Sequence, residues 1–279
     1  MKELLKVEKL RVTDTRNGEV IVDDLSFSLG ENRCLGIVGE SGSGKSMTAR
    51  ALLGLNKAWL KAEGRALFQM ASGETDLLAQ DPKELARLRG SDIGLIVQDA
   101  MSAFDPIERL GRQMAETLGA KLGLGKKEAL EQAAQDLAAL NIEDPRGLMA
   151  KYPHQLSGGM LQRVMIALAL VMQPKIIIAD EPTTALDAVN QRQVVTLFEA
   201  LREKTGTSLI FISHDLGVVR RLADDLLVMQ AGRAVEAGEA REIFGHPASD
   251  YTRYLIETRL EITNSLKIAL GGAQHEKSH

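Results

Sequence analysis

The amino-acid sequence predicts an α/β fold with a core of parallel β-strands, an antiparallel β subdomain and an inserted helical lobe. The core is indicated by short apolar runs typical of strands buried on both faces, CLGIV, DIGLIV, KIIIAD and SLIFISH. The subdomain is indicated by segments with alternating or β-branched residues, LLKVEKLRV, VIVDDLSFSL and RALFQ. Between Asp105 and Pro174 the apolar residues recur at helical spacing, which predicts the lobe.

The helical pattern also defines the expected domain organisation. It is clearest in KKEALEQAAQDLAALNI, whose apolar face is formed by Leu130, Ala134, Leu137 and Leu140. We expect one domain over residues 1–245, with the helical lobe at about 100–170 inserted into the core. A helical extension followed by a polar tail is expected over 246–279.

Composition and charge exclude several classes of protein. The chain has 279 residues, 44% of them hydrophobic, which is enough for one large domain with a buried core. The longest apolar stretch, Val164 to Met172, is far shorter than the roughly 20 residues that cross a bilayer, so no membrane span is expected. A net charge of −4 argues against a nucleic-acid-binding surface as the main functional feature, and it leaves room for a local basic patch. The single cysteine, Cys34, excludes an internal disulfide and a cysteine-ligated metal site, and indicates a reducing compartment.

The segment GESGSGKS at 39–46 predicts a phosphate-binding loop, because it matches the pattern G-x-x-x-x-G-K-[ST] between a buried strand and a helix. Glycines let successive backbone N–H groups point at phosphate oxygens at a helix N-terminus. Lys45 supplies a cation for the β- and γ-phosphates, and the Ser46 hydroxyl is suited to Mg²⁺. The alternative is a glycine-rich turn that binds nothing. The predicted phosphate and nucleotide contacts are Gly39, Ser41, Gly42, Ser43, Gly44, Lys45, Ser46 and Met47.

Two adjacent acidic residues end the apolar run KIIIADE, and they predict the carboxylates that act together with the phosphate-binding loop. Asp180 is placed to hold Mg²⁺ through water, because metal retention at such a loop needs a carboxylate at a neighbouring strand end. Glu181 is placed to orient and polarise an attacking water. A solvated turn is the plainer explanation of two adjacent acids, and the phosphate-binding loop elsewhere in the chain disfavours it.

The segment LSGGM at 156–160, followed by LQRVMIALALVMQP, distinguishes among the many proteins that contain such a loop. On this segment the sequence resembles the ABC ATPase family, whose signature LSGGQ-x-QR precedes the acidic strand end. Gln98 after DIGLIV matches the family's Q-loop, residues 185–187 match its D-loop, and His214 in FISHD matches its switch histidine. The resemblance therefore covers essentially the whole chain.

The resemblance implies an ABC ATPase fold of the P-loop NTPase class, with ATP and Mg²⁺ as cofactors. The residues implied to hold Mg²⁺ are Ser46, Gln98 and Asp180. The residues implied to be catalytic are Lys45, Gln98, Glu181 and His214. The further nucleotide contacts implied are Ser157, Gly158, Gly159 and Asp187, and the signature residues among them would face the ATP of a second domain packed head to tail. Taken singly, a loop glutamine, a strand-end histidine and an SGG turn each have plainer explanations.

Departures from the family pattern indicate a branch. Met160 replaces the usual glutamine of the signature, and PHQLSGGMLQRVMIALAL together with AFDP and HPASDYTRYL resembles the peptide/nickel branch of ABC importers. The family usually places an aromatic residue ahead of the phosphate loop to stack on adenine. Here LRVTDTRN has none, and Asp14 lies near that position. Nucleotide affinity is therefore expected to rest on phosphate contacts and apolar packing.

The resemblance favours an ATP-hydrolysing subunit that powers an importer of nickel, cobalt or metal–opine metallophore complexes. With Cys34 alone, the chain lacks the cysteine-rich extension common in peptide-transporting ATPases of this branch. The alternative is an ATPase of a dipeptide or oligopeptide importer. A remote alternative is a non-transport ABC ATPase acting on DNA, which the short interval between loop and signature, without heptads or a cysteine cluster, disfavours. A catalytically dead regulatory subunit and an exporter are disfavoured by the intact motifs and the C-terminal pattern.

The same resemblance implies the partners and the location. The expected complex contains a second ABC ATPase subunit in a head-to-tail dimer, two transmembrane permease subunits and an extracytoplasmic solute-binding protein. No nucleic acid is expected as a partner. The chain would lie peripherally on the cytoplasmic face of the inner membrane, and its docking surface for the permeases is expected near Ala103 to Arg112.

Overall fold

A computed structural model describes residues 2–139, 142–184 and 186–258 as two β-sheets with helices packed against them. The strands are β1 (Glu3–Asp14), β2 (Val20–Gly30), β3 (Cys34–Val38), β4 (Leu60–Met70), β5 (Gly73–Asp76), β6 (Ile93–Ile96), β7 (Ile176–Asp180), β8 (Ser208–Ile212), β9 (Asp225–Gln230) and β10 (Arg233–Glu239). The helices are α1 (Lys45–Leu52), α2 (Pro82–Leu88), α3 (Leu110–Leu122), α4 (Lys126–Ala139), α5 (Pro145–Met149), α6 (Gly158–Val171), α7 (Ala188–Thr205), α8 (Leu216–Leu222), α9 (Ala240–Gly245) and α10 (250–258).

The two predicted kinds of sheet are both present. The four-stranded sheet has the order β2-β1-β4-β5 and is antiparallel throughout. The six-stranded sheet has the order β10-β9-β3-β8-β7-β6, and only the β9–β10 pair is antiparallel. The apolar runs predicted as core strands form β3, β6, β7 and β8. Because these strands are parallel, their carboxyl ends meet at one edge of the sheet.

The six-stranded sheet separates two apolar clusters, and alternate residues of β3 face opposite sides. Leu35 and Ile37 pack toward α1 and the antiparallel sheet, in a cluster that also contains Phe68. Cys34 and Val38 pack toward the cluster that contains the helical lobe and α7. Full burial on both faces explains why these strands have continuous apolar sequences. Burial also raises the pKa of the Cys34 thiol to about 12, so it behaves as a small packing residue.

The helical lobe contains α3, α4, α5 and α6, which pack on one another. On α4, Ala134 and Leu137 are buried and Leu130 packs partly buried against the same cluster, as the apolar spacing predicted. Leu140 lies outside the described residues. The small side chains of the buried alanines on α4 let neighbouring helices approach closely. The apolar cluster that contains them also includes residues of the sheet, and it therefore joins the lobe to the sheet.

The first part of the predicted C-terminal extension packs on the rest of the domain. Leu255 and Ile256 of α10 are buried in the cluster shared with the helical lobe. The carboxylate of Glu236 on β10 accepts hydrogen bonds from the backbone N–H groups of Ala248 (2.8 Å) and Ser249 (3.0 Å), immediately before α10. Residues 259–279, the rest of the predicted extension and tail, lie outside the described residues.

None of the helices in the described part of the chain has the length and apolar character needed to traverse a bilayer.

A substitution at Gly36, in the middle of β3, tests how tightly the sheet packs on α8. A Cβ atom at Gly36 would lie 2.5 Å from Cγ1 of Val219 and 3.0 Å from Cβ of Ala223. We expect Gly36→Ala to lower the free energy of unfolding by about 1–3 kcal/mol, because overpacking forces neighbours off their preferred positions. Urea unfolding followed by circular dichroism measures this difference. The matched control is Gly245→Ala, since a Cβ there meets nothing within 4 Å. Equal midpoints for the two variants would contradict the expectation.

Candidate functional site

The segment 39–46 connects β3 to α1 as a tight loop whose glycines are required by space and by conformation. Gly39 has φ 152°, and a Cβ atom there would lie 2.2 Å from the carbonyl oxygen of Met229. Gly44 has φ 98°, and its Cβ would lie 3.2 Å from the carbonyl oxygen of Ile21. Larger residues would push the loop away from β9 and β2. The glycines therefore keep the loop against the sheet and its backbone N–H groups at the start of α1.

Lys45 lies inside this loop rather than in solvent. Its side chain is 5% exposed, and Nζ donates to the carbonyl oxygens of Gly39 (2.9 Å) and Glu40 (2.7 Å) and to Ser43 Oγ (3.2 Å). Burial lowers the pKa of Lys45, while the nearby carboxylates, first among them Glu181, act to raise it. The loop thus holds a cation that is poorly solvated and poised to interact with an anionic ligand.

Asp180 at the end of β7 joins the loop to the core sheet. Its Oδ1 accepts the hydroxyl hydrogen of Ser46 at 2.7 Å, across 134 residues of sequence. Burial raises the pKa of Asp180, and the hydrogen bond from Ser46 acts in the opposite direction. A hydroxyl and a carboxylate oxygen at this separation are the hard donors that Mg²⁺ prefers, so these two residues fit a magnesium site.

Glu181 is held in an unusual backbone conformation directly after β7. Its φ is 49°, in the left-handed region, while its N–H donates to the carbonyl oxygen of Ile212 at 2.9 Å. Its Oε2 accepts the hydroxyl hydrogen of Thr184 (2.8 Å) and lies 3.3 Å from Nδ1 of His214. Strain of this kind persists where surrounding contacts enforce it, and it is concentrated at functional sites. The left-handed backbone of Glu181 and the pairing of its N–H with β8 together place its carboxylate beside His214.

Gln98 and His214 follow strands on either side of β7. In the register, Ile96 of β6 pairs with Ala179, and Asp180 pairs with Ile212 of β8. Both residues therefore lie at the edge where Asp180 ends its strand. Gln98 is exposed there. The amide of Gln162 on α6 donates to the carbonyl oxygen of Val97 at 3.4 Å, a link between the helical lobe and this edge that the sequence analysis did not predict.

The signature residues form a second group at the N-terminus of α6. Ser157 and Gly158 are exposed, and Ser157 Oγ accepts the N–H of Met160 at 3.3 Å. Gly159 packs near Leu186, since a Cβ there would lie 3.2 Å from its side chain. Asp187 caps α7 by accepting the backbone N–H of Asn190 at 2.9 Å. Ala185 of the predicted D-loop lies outside the described residues.

Most of the predicted site residues fall into two groups, while Gln98 lies exposed at the same sheet edge and belongs to neither. In the first group, hydrogen-bonding contacts join Ser46 to Asp180 and Glu181 to His214, and Lys45 lies within the electrostatic influence of the two carboxylates. The other group, which contacts solvent at two adjacent helix N-termini, comprises Ser157, Gly158, Gly159 and Asp187. The remaining loop residues are the exposed Ser41 and Gly42, the buried Ser43, and Met47, which packs against the apolar cluster beside α1.

The position where the sequence lacks an aromatic residue has an unexpected structure. Asp14 is 6% exposed and accepts hydrogen bonds from Nε (3.0 Å) and Nη2 (2.6 Å) of Arg16. The guanidinium of Arg16 lies 4.6 Å from the ring centroid of Trp59. The N–H of Thr15 donates to the carbonyl oxygen of Trp59 at 2.9 Å. A charged planar group over an indole therefore lies close to the position where the family pattern has a single aromatic side chain.

Residues 22–184 match the family model described as ABC transporter, which covers more than half of the chain. The chain belongs to the ABC transporter family. It is similar to the metal-staphylopine import system ATP-binding protein CntD of Staphylococcus aureus, at 39% identity over 98% of this chain and 99% of that relative. It is also similar to the oligopeptide transport ATP-binding protein OppD of Salmonella typhimurium, at 46% identity over 89% of this chain and 74% of that relative.

Solved structures of this family share the fold. The ATP-binding cassette MJ0796, in a dimeric post-hydrolysis state bound to ADP and Pi, matches with a TM-score of 0.74 at 26% identity, over 85% of this chain and 99% of that chain. The structure of cbiO1 from Clostridium perfringens, part of the ABC transporter complex cbiONQ, matches with a TM-score of 0.72 at 26% identity, over 99% of this chain and 100% of that chain.

These similarities confirm several predictions from the sequence. The ABC ATPase family, its peptide/nickel importer branch and the P-loop ABC ATPase fold are confirmed. The protein is an ATP-binding, ATP-hydrolysing cassette of the importer type. The roles of individual site residues and the domain boundaries remain predictions.

The geometry around Glu181 predicts that a substitution there impairs ATP hydrolysis and leaves ATP binding intact. We expect Glu181→Gln to bind ATP normally and to lose steady-state hydrolysis by about 100-fold or more, because an amide does not accept a proton from water. Phosphate release and fluorescent-nucleotide binding measure the two properties. Glu203→Gln, an exposed change on α7, is the matched control. Unimpaired hydrolysis by Glu181→Gln would remove this residue from the catalytic site.

The contact between His214 and Glu181 predicts that loss of the histidine also impairs ATP hydrolysis without preventing ATP binding. We expect His214→Ala to retain ATP binding and to lose most of its turnover, at least about tenfold, because Glu181 loses the group that holds its carboxylate in register. The same assays apply, with His246→Ala as the control at an exposed histidine. Equal turnover in the two histidine variants would contradict the positioning role of His214.

Proposed function

We propose that this protein binds and hydrolyses Mg²⁺-ATP to power an ABC importer for nickel, cobalt or metal–metallophore complexes. The observation that carries the catalytic part of the proposal is the contact series from Ser46 through Asp180 and Glu181 to His214. It joins a phosphate-binding loop, a magnesium-binding pair and a base with its orienting group at one sheet edge. This combination is suited to phosphoryl transfer to water.

Each residue of this site has a distinct role in the proposed reaction. Lys45 and the loop N–H groups bind the β- and γ-phosphates, and Lys45 neutralises charge that develops on them. Ser46, Asp180 and Gln98 hold Mg²⁺, which when bound neutralises phosphate charge. Glu181 accepts a proton from the attacking water, and His214 keeps the Glu181 carboxylate oriented and contacts the γ-phosphate. Positioning and electrostatic stabilisation thus supply most of the catalysis.

The second group of residues is proposed to act on the ATP of a partner subunit. The N-terminus of α6 is open to solvent at Ser157 and Gly158, and a helix N-terminus of this length favours an anion. Asp187 lies at the N-terminus of the neighbouring α7. A head-to-tail dimer with a second ABC ATPase subunit would place this surface over the partner's nucleotide, with Ser157 and Gly158 facing it and Gly159 packed against Leu186 of its own chain.

The proposed contact with the membrane permeases lies on the helical lobe. Ile107, within the predicted docking region near Ala103 to Arg112, is 82% exposed, and Met101, two residues ahead of that region, is also an exposed apolar residue. Exposed apolar side chains of this kind are typical of a protein-binding surface. We propose that two permease subunits dock here, that an extracytoplasmic solute-binding protein completes the complex, and that the chain lies peripherally on the cytoplasmic face of the inner membrane.

The proposed cargo is supported by the extent of similarity to one relative. The match to the metal-staphylopine ATPase spans nearly both full chains, whereas the match to the oligopeptide ATPase OppD covers 74% of that relative. A second candidate function is a subunit of a dipeptide or oligopeptide importer, which the higher identity of 46% to OppD favours. Both candidates share the same ATPase site and differ only in the cargo that the other subunits recognise.

Uptake measurements in cells test both the ATPase site and the cargo. We expect Lys45→Ala in the chromosomal gene to abolish uptake of radiolabelled nickel and cobalt, assayed with and without an opine-type chelator, and to leave uptake of a labelled dipeptide unchanged. The reason is that removal of the buried loop cation removes phosphate binding. The control is Lys204→Ala at an exposed lysine.

The outcomes separate the cargo from the mechanism. Loss of dipeptide uptake alone would assign the chain to the peptide importers and overturn the metal cargo while leaving the ATPase site intact. Normal uptake of every substrate by the Lys45→Ala cells would overturn the proposed role of the loop.

A further inference from the structure

The segment HPASDYTRYL brings a tyrosine to the phosphate-binding loop. The hydroxyl oxygen of Tyr251 on α10 accepts a hydrogen bond from the backbone N–H of Glu40 at 3.1 Å. Glu40 is the second residue of the 39–46 loop, and the two residues are 211 positions apart in sequence. A side chain from the C-terminal part of the chain is therefore in direct contact with the backbone of the loop.

Both the backbone N–H and the backbone carbonyl oxygen of Glu40 are hydrogen-bonded. Its N–H is bound by the hydroxyl of Tyr251, and its carbonyl oxygen accepts Nζ of Lys45 at 2.7 Å. The following residues, Ser41 and Gly42, are exposed. The entry to the loop is thus fixed by hydrogen bonds just before its exposed tip, and one of the two partners is the cation proposed to bind phosphate.

The contact requires α10 to be anchored, and the β9–β10 hairpin provides the anchor. In the turn of the hairpin, the N–H of Gly232 donates to the carbonyl oxygen of Ser43 in the phosphate-binding loop at 3.2 Å. On β10, Glu236 accepts the N–H groups of Ala248 and Ser249, immediately ahead of α10. Burial disfavours the charged form of Glu236, but its hydrogen bonds outweigh this effect and lower its pKa. The carboxylate therefore stays charged at neutral pH and keeps the start of α10 in place.

The hydroxyl of Tyr251 is suited to a neutral hydrogen-bonding role. Tyr251 is half-buried, and burial raises the pKa of its hydroxyl above the usual value. It therefore keeps its proton at physiological pH and accepts the N–H of Glu40 as a neutral group. Tyr254, one turn further along the same helix, is exposed and provides a matched comparison.

We propose that Tyr251 is a positioning residue for ATP binding, which tethers the phosphate-binding loop to the C-terminal helix through the N–H of Glu40. This inference rests on the proposed role of residues 39–46. A loop held in its binding conformation before the ligand arrives loses less conformational freedom on binding and therefore binds more tightly. Tyr251 itself contacts neither the phosphates nor the attacking water in this proposal, so it acts on affinity and not on the chemical step.

The test compares Tyr251→Phe with Tyr254→Phe in the purified full-length protein. Phenylalanine keeps the ring and removes only the hydroxyl. We expect Tyr251→Phe to weaken ATP binding by about fivefold, the loss associated with one neutral hydrogen bond, with kcat at saturating ATP within about twofold of the original. We expect Tyr254→Phe to bind ATP normally. Circular dichroism without nucleotide should show both variants folded.

Amide hydrogen exchange supplies a direct second measurement. We expect exchange at Glu40 to be faster in Tyr251→Phe and unchanged in Tyr254→Phe, because only the first change removes the acceptor of that N–H. Unchanged ATP affinity, or equal losses in both tyrosine variants, would overturn the proposal. So would unchanged exchange at Glu40.

A Lys45→Ala variant in the same binding assay separates this inference from the proposed function. If Lys45→Ala binds ATP normally, the role of the loop itself is wrong. If Lys45→Ala loses binding while Tyr251→Phe retains it, only the tether is wrong.

Discussion

The parallel register of the core sheet is the constraint on which the site depends. Because β3, β8, β7 and β6 run in the same direction, residues 39–46, the acidic strand end, His214 and Gln98 all lie at one edge. The hydrogen bond from Ser46 to Asp180 then joins the loop to this edge. A shift of one residue in the register of β7 would turn Asp180 to the opposite face of the sheet and break that contact.

The electrostatics of the edge follow from burial. Burial lowers the pKa of Lys45 and raises that of Asp180, so desolvation opposes the charged form of both groups. The hydrogen bonds that Lys45 donates to the loop, and the one that Asp180 accepts from Ser46, offset part of that cost. Groups of this kind interact strongly with an incoming anion or cation, because little water remains between them and the ligand. The strained backbone of Glu181 belongs to the same arrangement, since its N–H is paired with β8 while its carboxylate faces His214.

The β9–β10 hairpin links distant parts of the chain to the loop. Its turn contacts both the loop and β2, through Gly232, whose N–H donates to Ser43 and whose carbonyl oxygen accepts the N–H of Asp23 at 2.9 Å. Its outer strand anchors α10, which carries Tyr251. The C-terminal segment therefore contributes to the surroundings of the phosphate loop in addition to packing on the core.

The sequence by itself determined the elements whose signal is local. Continuous apolar runs predicted β3, β6, β7 and β8, since strands buried on both faces need no polar alternation. The spacing of glycines, lysine and serine predicted the loop, because close backbone approach tolerates no Cβ at Gly39. The run DLLVMQ of β9 has the same buried pattern as the predicted core strands and was missed, although that signal was available.

Only the tertiary structure decided what depends on pairing between distant segments. The strands β5 and β10 are short or largely exposed and exist because they pair with β4 and β9. The packing of Arg16 over Trp59 and the contact of Tyr251 with Glu40 each join residues far apart in sequence. No periodicity marks such contacts, because a hydrogen bond between two segments depends on where the whole fold places them and not on the residues adjacent to either.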